Sequence, residues 1–591
     1  MNTAALYHRT ESEYAYLYDQ DTVHLRLRTG KDVANVYVMY GDPYEVDGDK
    51  WLDEAAIMTK VAETKEHYYF QYALTMPRRR LKYAFKVVDN EGEAIFFGDR
   101  GVYPLEAKYY NVPNFYFSLP YFHVIDMAQA PEWVKKTVWY QIFPERFANG
   151  DPSNDPANVL AWDSEEPSRE NFFGGDLQGV IDHLDDLEAL GINGLYFCPI
   201  FKAYSNHKYD TIDYFEIDPQ FGSKETFRKL VQEAHRRGMK IMLDAVLNHS
   251  GDTAPQWLDV IKHGADSVYK DWYYIHSFPV SYDATDDNEV AENLNYDTFA
   301  FTPHMPKWNT ANPKVVEHLL SIATYWIREF DIDAWRLDVA NEVDHHFWRQ
   351  FYNACYSLKD DFYILGEVWH NAQPWLQGGE FNGTMNYAYC ENIMQYFKEH
   401  TIDEEQLASV LYSQLMLYRD QVNRMNLNML DSHDTARLLY QVDGDKNLAC
   451  KLLAFMFLQP GTPCIYYGTE YGMTGGPDPS NRACMVWDSS KQDGQMYQFV
   501  KQLIALRHQY ANLLSDGQIK FEYDKNNKMF KIIRFVDDIK IIGLFLGERQ
   551  LIDVNIGIDE FIKDIDTNDI LLSGKGFIIH TSYQLSTHHK I

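Results

Sequence analysis

The first part of the chain alternates apolar and polar residues in short runs. Examples are TVHLRLRT (22–29), YYFQYALTM (68–76) and LKYAFKVVD (81–89), with Gly, Asp and Pro turns between such runs. A period of two places one face of a strand in a core and the other in solvent. The pattern therefore predicts an N-terminal β-sandwich over residues 1–122.

Near residue 138 the pattern changes to almost continuous apolar runs that alternate with helical segments. Apolar strands separated by helices are typical of a parallel sheet that helices cover on both faces. Strands are predicted to start at residues 138, 194, 240, 333, 362, 383, 427 and 463. Eight strands, each followed by a helix, predict a (β/α)8 (TIM) barrel over residues 123–508.

Two regions depart from this alternation. Residues from about 250 to 312 are rich in Trp, Tyr, Asp and Pro, and they are predicted to form a subdomain inserted after the third strand. After about residue 508 the runs FKIIRFVD, IKIIGLFL and GFIIHTSY predict a C-terminal β-domain, a second β-sandwich, over residues 509–591. The chain is thus predicted to be a multidomain protein with a central α/β barrel.

Charge and composition narrow the classes of partner. The formal net charge of -32 argues against nucleic acid and anionic membranes, because both require a basic surface. No basic segment followed by an apolar stretch opens the sequence, and no apolar run reaches the ~18–20 residues of a membrane span. The six cysteines form no CxxC pair, so they suggest neither a zinc site nor a disulfide framework. A cytoplasmic protein without a nucleic-acid or membrane partner is expected.

Charged and polar residues end several of the predicted barrel strands. Since active-site residues of such barrels lie at the carboxyl ends of the strands, these side chains are expected to converge. A lone Asp there is more often a turn or cap residue, and Asp244 is interpreted as mainly structural. The joint pattern favours a functional site, because burying so many charges without a task is costly. The converging residues are His249, Arg336, Asp338, Glu367, His433 and Asp434.

This set of residues suits the cleavage of a glycosidic bond. A retaining enzyme needs one carboxylic acid to protonate the leaving oxygen and one carboxylate on the other face of the sugar, roughly 5–5.5 Å away. Asp338 alternates with Arg336 along the fourth strand, so both should point to the same side. The guanidinium is expected to keep Asp338 ionised as a nucleophile, and Glu367 is expected to carry the proton.

Four ordered motifs carry a family resemblance: DAVLNH (244–249), WRLDVANEV (335–343), GEVWH (366–370) and DSHDT (431–435). With them the sequence resembles the α-amylase family, glycoside hydrolase family 13. The resemblance implies that Asp338 is the nucleophile, Glu367 the general acid/base and Asp434 a stabiliser of the transition state. It also implies an innermost sugar subsite formed by Tyr209, His249, Arg336 and His433.

Two further motifs, VANEVD (339–344) and MPKWN (305–309), are similar to signatures of neopullulanases, cyclomaltodextrinases and maltogenic amylases. This implies cyclodextrins and α-glucan oligosaccharides as substrates, and a homodimer in which the N-terminal sandwich covers the partner's active site. Trp308 replaces the usual Leu and is expected to alter stacking near the inserted subdomain. Trp369 matches an aromatic residue on the leaving-group side, and Asp478 and Arg482 match further substrate contacts. NRACMVWD (481–488) departs from the usual RRPM[IV]WD, and Thr469 replaces a usual Asp.

The segments NGDPSND (149–155) and FFGGD (172–176) offer oxygen ligands of the kind that Ca²⁺ prefers. A polar turn rich in Asn and Asp is the commoner use of such residues. Resemblance to the calcium loop of the same subgroup favours a structural Ca²⁺ site. Its expected ligands are Asn149, Asp151, Asn154, Asp155, Gly174 through its carbonyl, and Asp176.

Two other functions compete with an α-glucan hydrolase of this subgroup. The first is another enzyme of the same family, an oligo-1,6-glucosidase, a transglycosylase or a branching enzyme, which would share the residues of the first half-reaction. The second is a non-catalytic glycan-binding or transporter-associated protein on the same fold. Such proteins typically lose the nucleophile or the acid, and this sequence retains both Asp338 and Glu367.

Overall fold

The structure, a computed structural model, describes residues 1–47, 50–51, 54–129, 131–286, 290–547 and 570–583. The N-terminal region forms two antiparallel sheets that enclose a core with side chains from both, including Val23, Leu25, Val36 and Phe85. This confirms the predicted β-sandwich. One sheet has the order Ala15–Leu17, Thr22–Gly30, His67–Thr75 and Thr59–Glu63. The other has the order Gly101–Pro104, Ala94–Gly98, Leu81–Asp89, Val33–Gly41 and Glu54–Ile57, with Phe117–Leu119 also paired to Leu81–Asp89.

The central domain is a closed barrel of eight parallel strands. In chain order they are β1 (Trp139–Ile142), β2 (Gly194–Phe197), β3 (Lys240–Ala245), β4 (Ala334–Leu337), β5 (Tyr363–Gly366), β6 (Gly383–Thr384), β7 (Leu427–Asn428) and β8 (Thr462–Tyr466). Neighbours in the sheet are consecutive in the chain, and β8 pairs with β1. A parallel bridge between Met385 and Leu427 joins β6 to β7 and closes the ring. The predicted (β/α)8 barrel is confirmed, with a strand at or next to each of the eight predicted starts.

Helices cover the barrel on the outside. Lys224–Arg236 shows why they form where they do: Ser223 caps the first turn by accepting the N–H of Thr226, and the apolar residues share one buried face. Gly238, with φ +74, reverses the chain into β3. The other main helices are Leu177–Asp182, Leu184–Leu190, Pro313–Phe330, His345–Tyr356, Tyr387–Phe397, Glu404–Met416, Lys446–Phe457 and Gly494–Gln509.

Residues 250–312 interrupt the barrel after β3, where the insertion is expected. Its described residues form one α-helix, Pro255–His263, two short 3-10 helices, Gly264–Asp266 and Lys270–Trp272, and a pair of two-residue strands, Asp283–Ala284 and Ala291–Glu292. Trp308 is fully buried here. Its ring stacks on Tyr273 at 4.7 Å, and its indole N–H donates to the Tyr214 hydroxyl at 3.3 Å. The Trp that departs from the usual motif therefore belongs to the packed core of the insertion, so its stacking partner is a protein ring.

A short helix, Ala511–Asp516, follows the predicted end of the barrel, so the helices extend slightly beyond residue 508. The described part of the C-terminal region is one antiparallel sheet whose Phe545 packs against barrel residues such as Phe397 and Phe455. Residues 548–569 and 584–591 of the predicted domain lie outside the described residues. The strand order is Gln518–Asp524, Met529–Val536, Ile539–Leu546, Phe577–Tyr583 and Ile570–Gly574.

The N-terminal sandwich is attached to the barrel by a buried ion pair. Arg26 is fully buried and lies 3.0 Å from Asp420, which also contacts His24 at 3.0 Å. Gln421 donates to the carbonyl of Leu17 at 2.9 Å. Within the described part of the chain, the helices fall short of the combination of length and apolar character that crossing a membrane requires.

Candidate active site

The barrel register gathers the charged residues at one end. Asp244 of β3 lies opposite Arg336 of β4, and the last residue of β4, Leu337, lies opposite Gly366 of β5. Asp338 and Glu367 each follow directly after these last positions. Because the strands are parallel and neighbouring, the two carboxylates leave the sheet side by side at its carboxyl edge.

One guanidinium connects the acidic residues. Nη1 of Arg336 lies 2.8 Å from an oxygen of Asp244 and 2.8 Å from Oδ1 of Asp338. Nη2 lies 2.8 Å from Oε2 of Glu367 and 3.9 Å from Oδ2 of Asp434. Arg336 has no exposed surface. Asp244, interpreted from sequence as mainly structural, is thus a direct partner of the arginine at the centre of the site.

The guanidinium of Arg336 does not fully counteract the effect of burial on the pKa values of the acidic residues. Burial raises the pKa of Asp338 well above its ordinary value, Arg336 opposes this, and the carboxylates of Glu367 and Asp244 raise it further. Burial likewise raises the pKa of Asp244 to about 6, against the opposing effect of Arg336. Arg336 thus opposes the effect of burial on Asp338, as expected, but the same guanidinium also pairs with Asp244 and Glu367, and the ionisation of Asp338 stays a prediction. Carboxylates that share one cation favour the presence of a proton among them, which acid catalysis requires.

Both oxygens of Glu367 accept hydrogen bonds. Oε2 accepts the backbone N–H of Val339 at 2.9 Å, and Oε1 accepts the indole N–H of Trp369 at 3.1 Å. Val339 has φ +46, a left-handed conformation that is strained for a β-branched residue. The indole ring of Trp369 stacks on Tyr387 at 3.8 Å and is half exposed. The carboxyl group of Glu367 is therefore oriented from both sides.

The two histidines contact the same side of the site. The Gln141 amide donates to Nδ1 of His433 at 2.7 Å, which leaves the hydrogen of the neutral ring on Nε2. That nitrogen faces the Tyr209 hydroxyl and lies 3.2 Å from Asp434. Nε2 of His249 lies 3.1 Å from the carbonyl of Tyr209. Burial lowers the pKa of His249 to about 3 and that of His433 well below its ordinary value, so both rings are neutral.

The site opens into a cleft of about 570 Å³. Arg482 lines the cleft, with Nη1 3.0 Å from Asp478 and Nη2 3.6 Å from Asp434. Asn481, in the motif that departs from the family pattern, is buried and donates to the carbonyls of residues 432, 433 and 435, which fixes the loop that carries Asp434. Thr469 donates to Asp431 at 2.8 Å in the protein interior.

Sequence reasoning missed several residues of the site. Gln141 is a polar residue inside an apolar strand, which is the one local signal that could have identified it. The others lie in loops without periodicity, and only the folded chain brings them to the cleft. The cleft-lining residues missed in this way include Arg169, His207 and Phe299, whereas Asn341, Glu342 and His370 lie inside motifs that the sequence analysis identified without giving these residues a function.

The predicted calcium ligands are close together in a separate loop. Asp176 is buried and accepts the N–H groups of residues 150, 151 and 179, and the amide of Asn154 at 3.0 Å. The amide nitrogen of Asn149 donates to Asp155 at 2.8 Å. A side chain on Gly174, which has φ +81, would collide with Asn149 and Asp155.

Two oxygens of this loop remain without a hydrogen-bond partner. They are the buried Oδ1 atoms of Asn149 and Asn154. Orphaned amide oxygens beside a carboxylate fit the oxygen-only ligation of Ca²⁺. Among the described residues, no three His, Cys, Asp or Glu side chains converge as metal ligands, so a cation here would depend on amide and carbonyl oxygens as well. Asp151 and Asp176 also cap short helices, which is the turn function that such residues commonly have.

A closed (β/α)8 barrel with paired carboxylates in an open cleft at the strand ends defines the class of barrel glycoside hydrolases. Comparison with known proteins supports this class. The family description "Alpha amylase, catalytic domain" matches residues 141–540, and "Alpha amylase, N-terminal ig-like domain" matches residues 1–123.

Close relatives specify the group. An intracellular maltogenic amylase of Bacillus subtilis (strain 168) is 52% identical over 93% of this chain and 92% of its own. A cyclomaltodextrinase of Geobacillus thermopakistaniensis is 46% identical over 98% of this chain and 99% of its own. A solved structure of a cyclomaltodextrinase, 42% identical, covers 99% of this chain and 98% of its own with a TM-score of 0.86. The chain belongs to the α-amylase family, in the group of maltogenic amylases, cyclomaltodextrinases and neopullulanases, and it is a glycoside hydrolase. This confirms the resemblance seen in the sequence.

Proposed function

We propose that the protein hydrolyses α-1,4-glucosidic bonds of cyclodextrins, pullulan and malto-oligosaccharides with retention of configuration. Cleavage of α-1,6 bonds and transfer to sugar acceptors accompany this activity. The observation that carries the proposal is the contact of Asp338 and Glu367 with one buried guanidinium, that of Arg336, in a large cleft. Two carboxylates held this closely suit the short separation that retaining glycosidases need.

In the first step, an oxygen of Asp338 attacks the anomeric carbon of the bound glucose unit. The bond from that carbon to the glycosidic oxygen breaks, and the leaving oxygen takes the proton of Glu367. In the second step Glu367, now ionised, removes a proton from water, whose oxygen displaces Asp338 from the anomeric carbon. When a sugar hydroxyl replaces the water, the same step produces transglycosylation.

The remaining residues stabilise the sugar as it distorts. Asp434 is assigned to the hydroxyls of the innermost glucose, where its bonds strengthen in the transition state. The neutral ring of His433 supplies an N–H donor at Nε2, the ring of His249 holds the carbonyl of Tyr209 with its own N–H, and Tyr209 supplies an aromatic face for stacking. The half-exposed ring of Trp369 is assigned to the side of the leaving group, as the family resemblance implies.

Product analysis tests this function against the alternatives within the family. β-Cyclodextrin, pullulan and soluble starch are incubated separately with the enzyme, and the products are separated by chromatography. Maltose from cyclodextrin and panose from pullulan support the proposal. Activity confined to isomaltose-type substrates would favour an oligo-1,6-glucosidase, and new α-1,6 branches in amylose would favour a branching enzyme. Anomeric NMR of the first products tests retention.

We further propose a structural Ca²⁺ bound by Asn149, Asn154, Asp155 and the carbonyl of Gly174, with Asp151 and Asp176 supporting the loop. The ion would stiffen this loop and take no part in the chemistry. A homodimer is proposed from the family group, and sedimentation velocity tests it. A cytoplasmic location is proposed because the Bacillus subtilis relative is named intracellular.

A further inference from the structure

A line of alternating charges leads from the catalytic cluster to the rim of the cleft. Asp434 lies 3.6 Å from Arg482, Arg482 lies 3.0 Å from Asp478, and Asp478 lies 3.1 Å from Arg169. All four residues line the same cleft. Arg169 is the outermost member, and its side chain is 45% exposed.

The loop that carries Arg169 is held rigidly from below. Arg146, which is fully buried, donates to the carbonyls of Ser168 and Asn171 at 3.1 and 3.0 Å. The amide of Asn206, also buried, donates to the same two carbonyls at 3.1 and 2.8 Å. Both flanks of Arg169 are therefore fixed by buried donors, and the arginine between them keeps its place over the cleft.

Arg146 also connects this loop to the inner part of the cleft. Its Nη1 donates to the carbonyl of Arg482 at 2.9 Å, so one buried side chain positions the backbones of both cleft arginines. An exposed ion pair of no function would need no such support, since surface pairs contribute little to stability. The arrangement indicates that the position of Arg169 relative to Arg482 is important for function.

The direction in which these four charged residues extend indicates which part of the substrate they contact. In the proposed mechanism Glu367, the hydrogen-bond partner of Trp369, protonates the leaving oxygen, whereas Asp434 contacts His433, which is assigned to the innermost sugar subsite. On this assignment the charges extend away from the leaving group, along the part of the substrate that becomes covalently attached. A guanidinium carries five N–H donors, more than one carboxylate oxygen can take up.

We infer that Arg169 is a specificity-determining residue that donates hydrogen bonds to the second glucose unit of the attached part, next to Asp478 and Arg482. The site thereby favours transfer of a maltosyl unit over a single glucosyl unit. This inference rests on the proposed function, and it adds a residue from a loop that the family motifs do not include.

Two chromogenic substrates test the inference. p-Nitrophenyl α-maltoside places two glucose units on the attached side, and p-nitrophenyl α-glucoside places one. The kcat/KM values of both are measured for the wild type and for Arg169→Ala, Arg169→Lys and Arg349→Ala. Arg349 is the matched control, because it is a half-exposed arginine 3.0 Å from a carboxylate, that of Glu380, on a helix outside the cleft.

We expect Arg169→Ala to lower the maltoside-to-glucoside ratio of kcat/KM by about tenfold, the size expected for a lost bond from a charged donor. Arg169→Lys keeps the charge without the planar guanidinium, and its ratio should lie between those of the wild type and Arg169→Ala. Arg349→Ala should leave the ratio unchanged. An unchanged ratio in folded Arg169→Ala, or an equal loss on both substrates, overturns the inference. If Arg169→Ala does not fold, the ratio in Arg169→Lys decides. Wild-type enzyme that cleaves neither of these substrates nor cyclodextrin contradicts the proposed function instead.

Discussion

The indole N–H of Trp369 donates a hydrogen bond of 3.1 Å to the carboxylate of Glu367, two residues earlier in the chain. The same indole stacks face to face on Tyr387 at 3.8 Å. Tyr387 thus fixes the plane of the indole ring, and the N–H at the edge of the ring orients Glu367, the acid/base. Trp369 therefore has a positioning function in addition to the contact with the leaving group that the family resemblance implies.

The first prediction concerns Trp369→Phe, which keeps a ring against Tyr387 and removes the N–H. We expect kcat on maltotriose to fall about tenfold, because the free energy lost with a hydrogen bond to an ionisable group corresponds to roughly this change in rate. Cleavage of α-maltosyl fluoride should change much less, since fluoride leaves without protonation by Glu367. Steady-state kinetics on both substrates check this. Trp133→Phe, which loses an indole bond to the carbonyl of Asp361, is the control. Equal losses on both substrates would argue against the positioning function.

The second prediction concerns calcium. If Ca²⁺ binds between Asn149 and Asp155, adding millimolar Ca²⁺ to chelator-treated protein raises the thermal midpoint, because a ligand of the folded state stabilises it. Asn149→Ala and Asp155→Ala should each abolish this response. Asp163→Asn, an exposed residue in the following loop, should keep it. Differential scanning calorimetry with and without chelator measures the shift, and identical midpoints in the wild type would exclude the site.

The third prediction concerns pH and the N-terminal sandwich. His8 is buried, contacts the carbonyl of Arg26 and the hydroxyl of Tyr83, and burial lowers its pKa to about 4. Between about pH 6.5 and 4 the unfolded chain binds a proton at His8 that the folded chain does not. The contribution of His8 to stability is therefore lost as the pH falls through this window, by about 1.4 kcal/mol per pH unit.

The variant His8→Gln should be less stable at pH 7 but should lose stability less steeply on acidification. His346→Gln, at an exposed position on a barrel helix, is the control. Urea unfolding at half-unit steps from pH 7 to 4.5, followed by fluorescence, measures the slopes. A His8→Gln slope equal to that of the wild type would contradict the burial of a neutral ring.

The fourth prediction concerns Arg534, which joins the C-terminal sheet to the barrel. It is fully buried and donates to the carbonyls of Leu458 at 2.9 Å and Gly517 at 3.0 Å. Burial lowers its pKa well below the ordinary value, so burying this side chain is costly and its hydrogen bonds must offset that cost. Arg534→Met leaves these carbonyls unsatisfied and should destabilise the protein by about 3 kcal/mol. Arg349→Ala should cost less than about 1 kcal/mol. Thermal unfolding compares the two, and equal midpoints would refute the prediction.

Much of the fold could be predicted because barrel strands are buried on both faces and are read directly from apolar runs. Even β6, whose regular part is two residues, was predicted at residue 383. The charged cluster followed for a geometric reason, since the carboxyl ends of parallel strands converge. Asp338 and Glu367 could therefore be paired before any distance was known.

Other features depend on packing between distant segments, which no local pattern encodes. Arg169 lies in a polar stretch without periodicity, and it becomes part of the cleft only because Arg146 and Asn206 hold its loop. The sequence places Arg336 beside Asp338 but does not reveal that Asp244 and Glu367 share the same cation.

The central claim is that Asp338 forms a covalent bond to the sugar. Glu367→Gln enzyme is mixed with α-maltosyl fluoride, which reacts without the acid, while loss of the base slows release by water. Intact-protein mass spectrometry should show the mass of one maltosyl unit added, and peptide mapping should locate it on Asp338. The adduct should be absent from the double variant Asp338→Asn, Glu367→Gln. An adduct on another residue, or fluoride release with β-maltose as the first product and no adduct, would contradict the account.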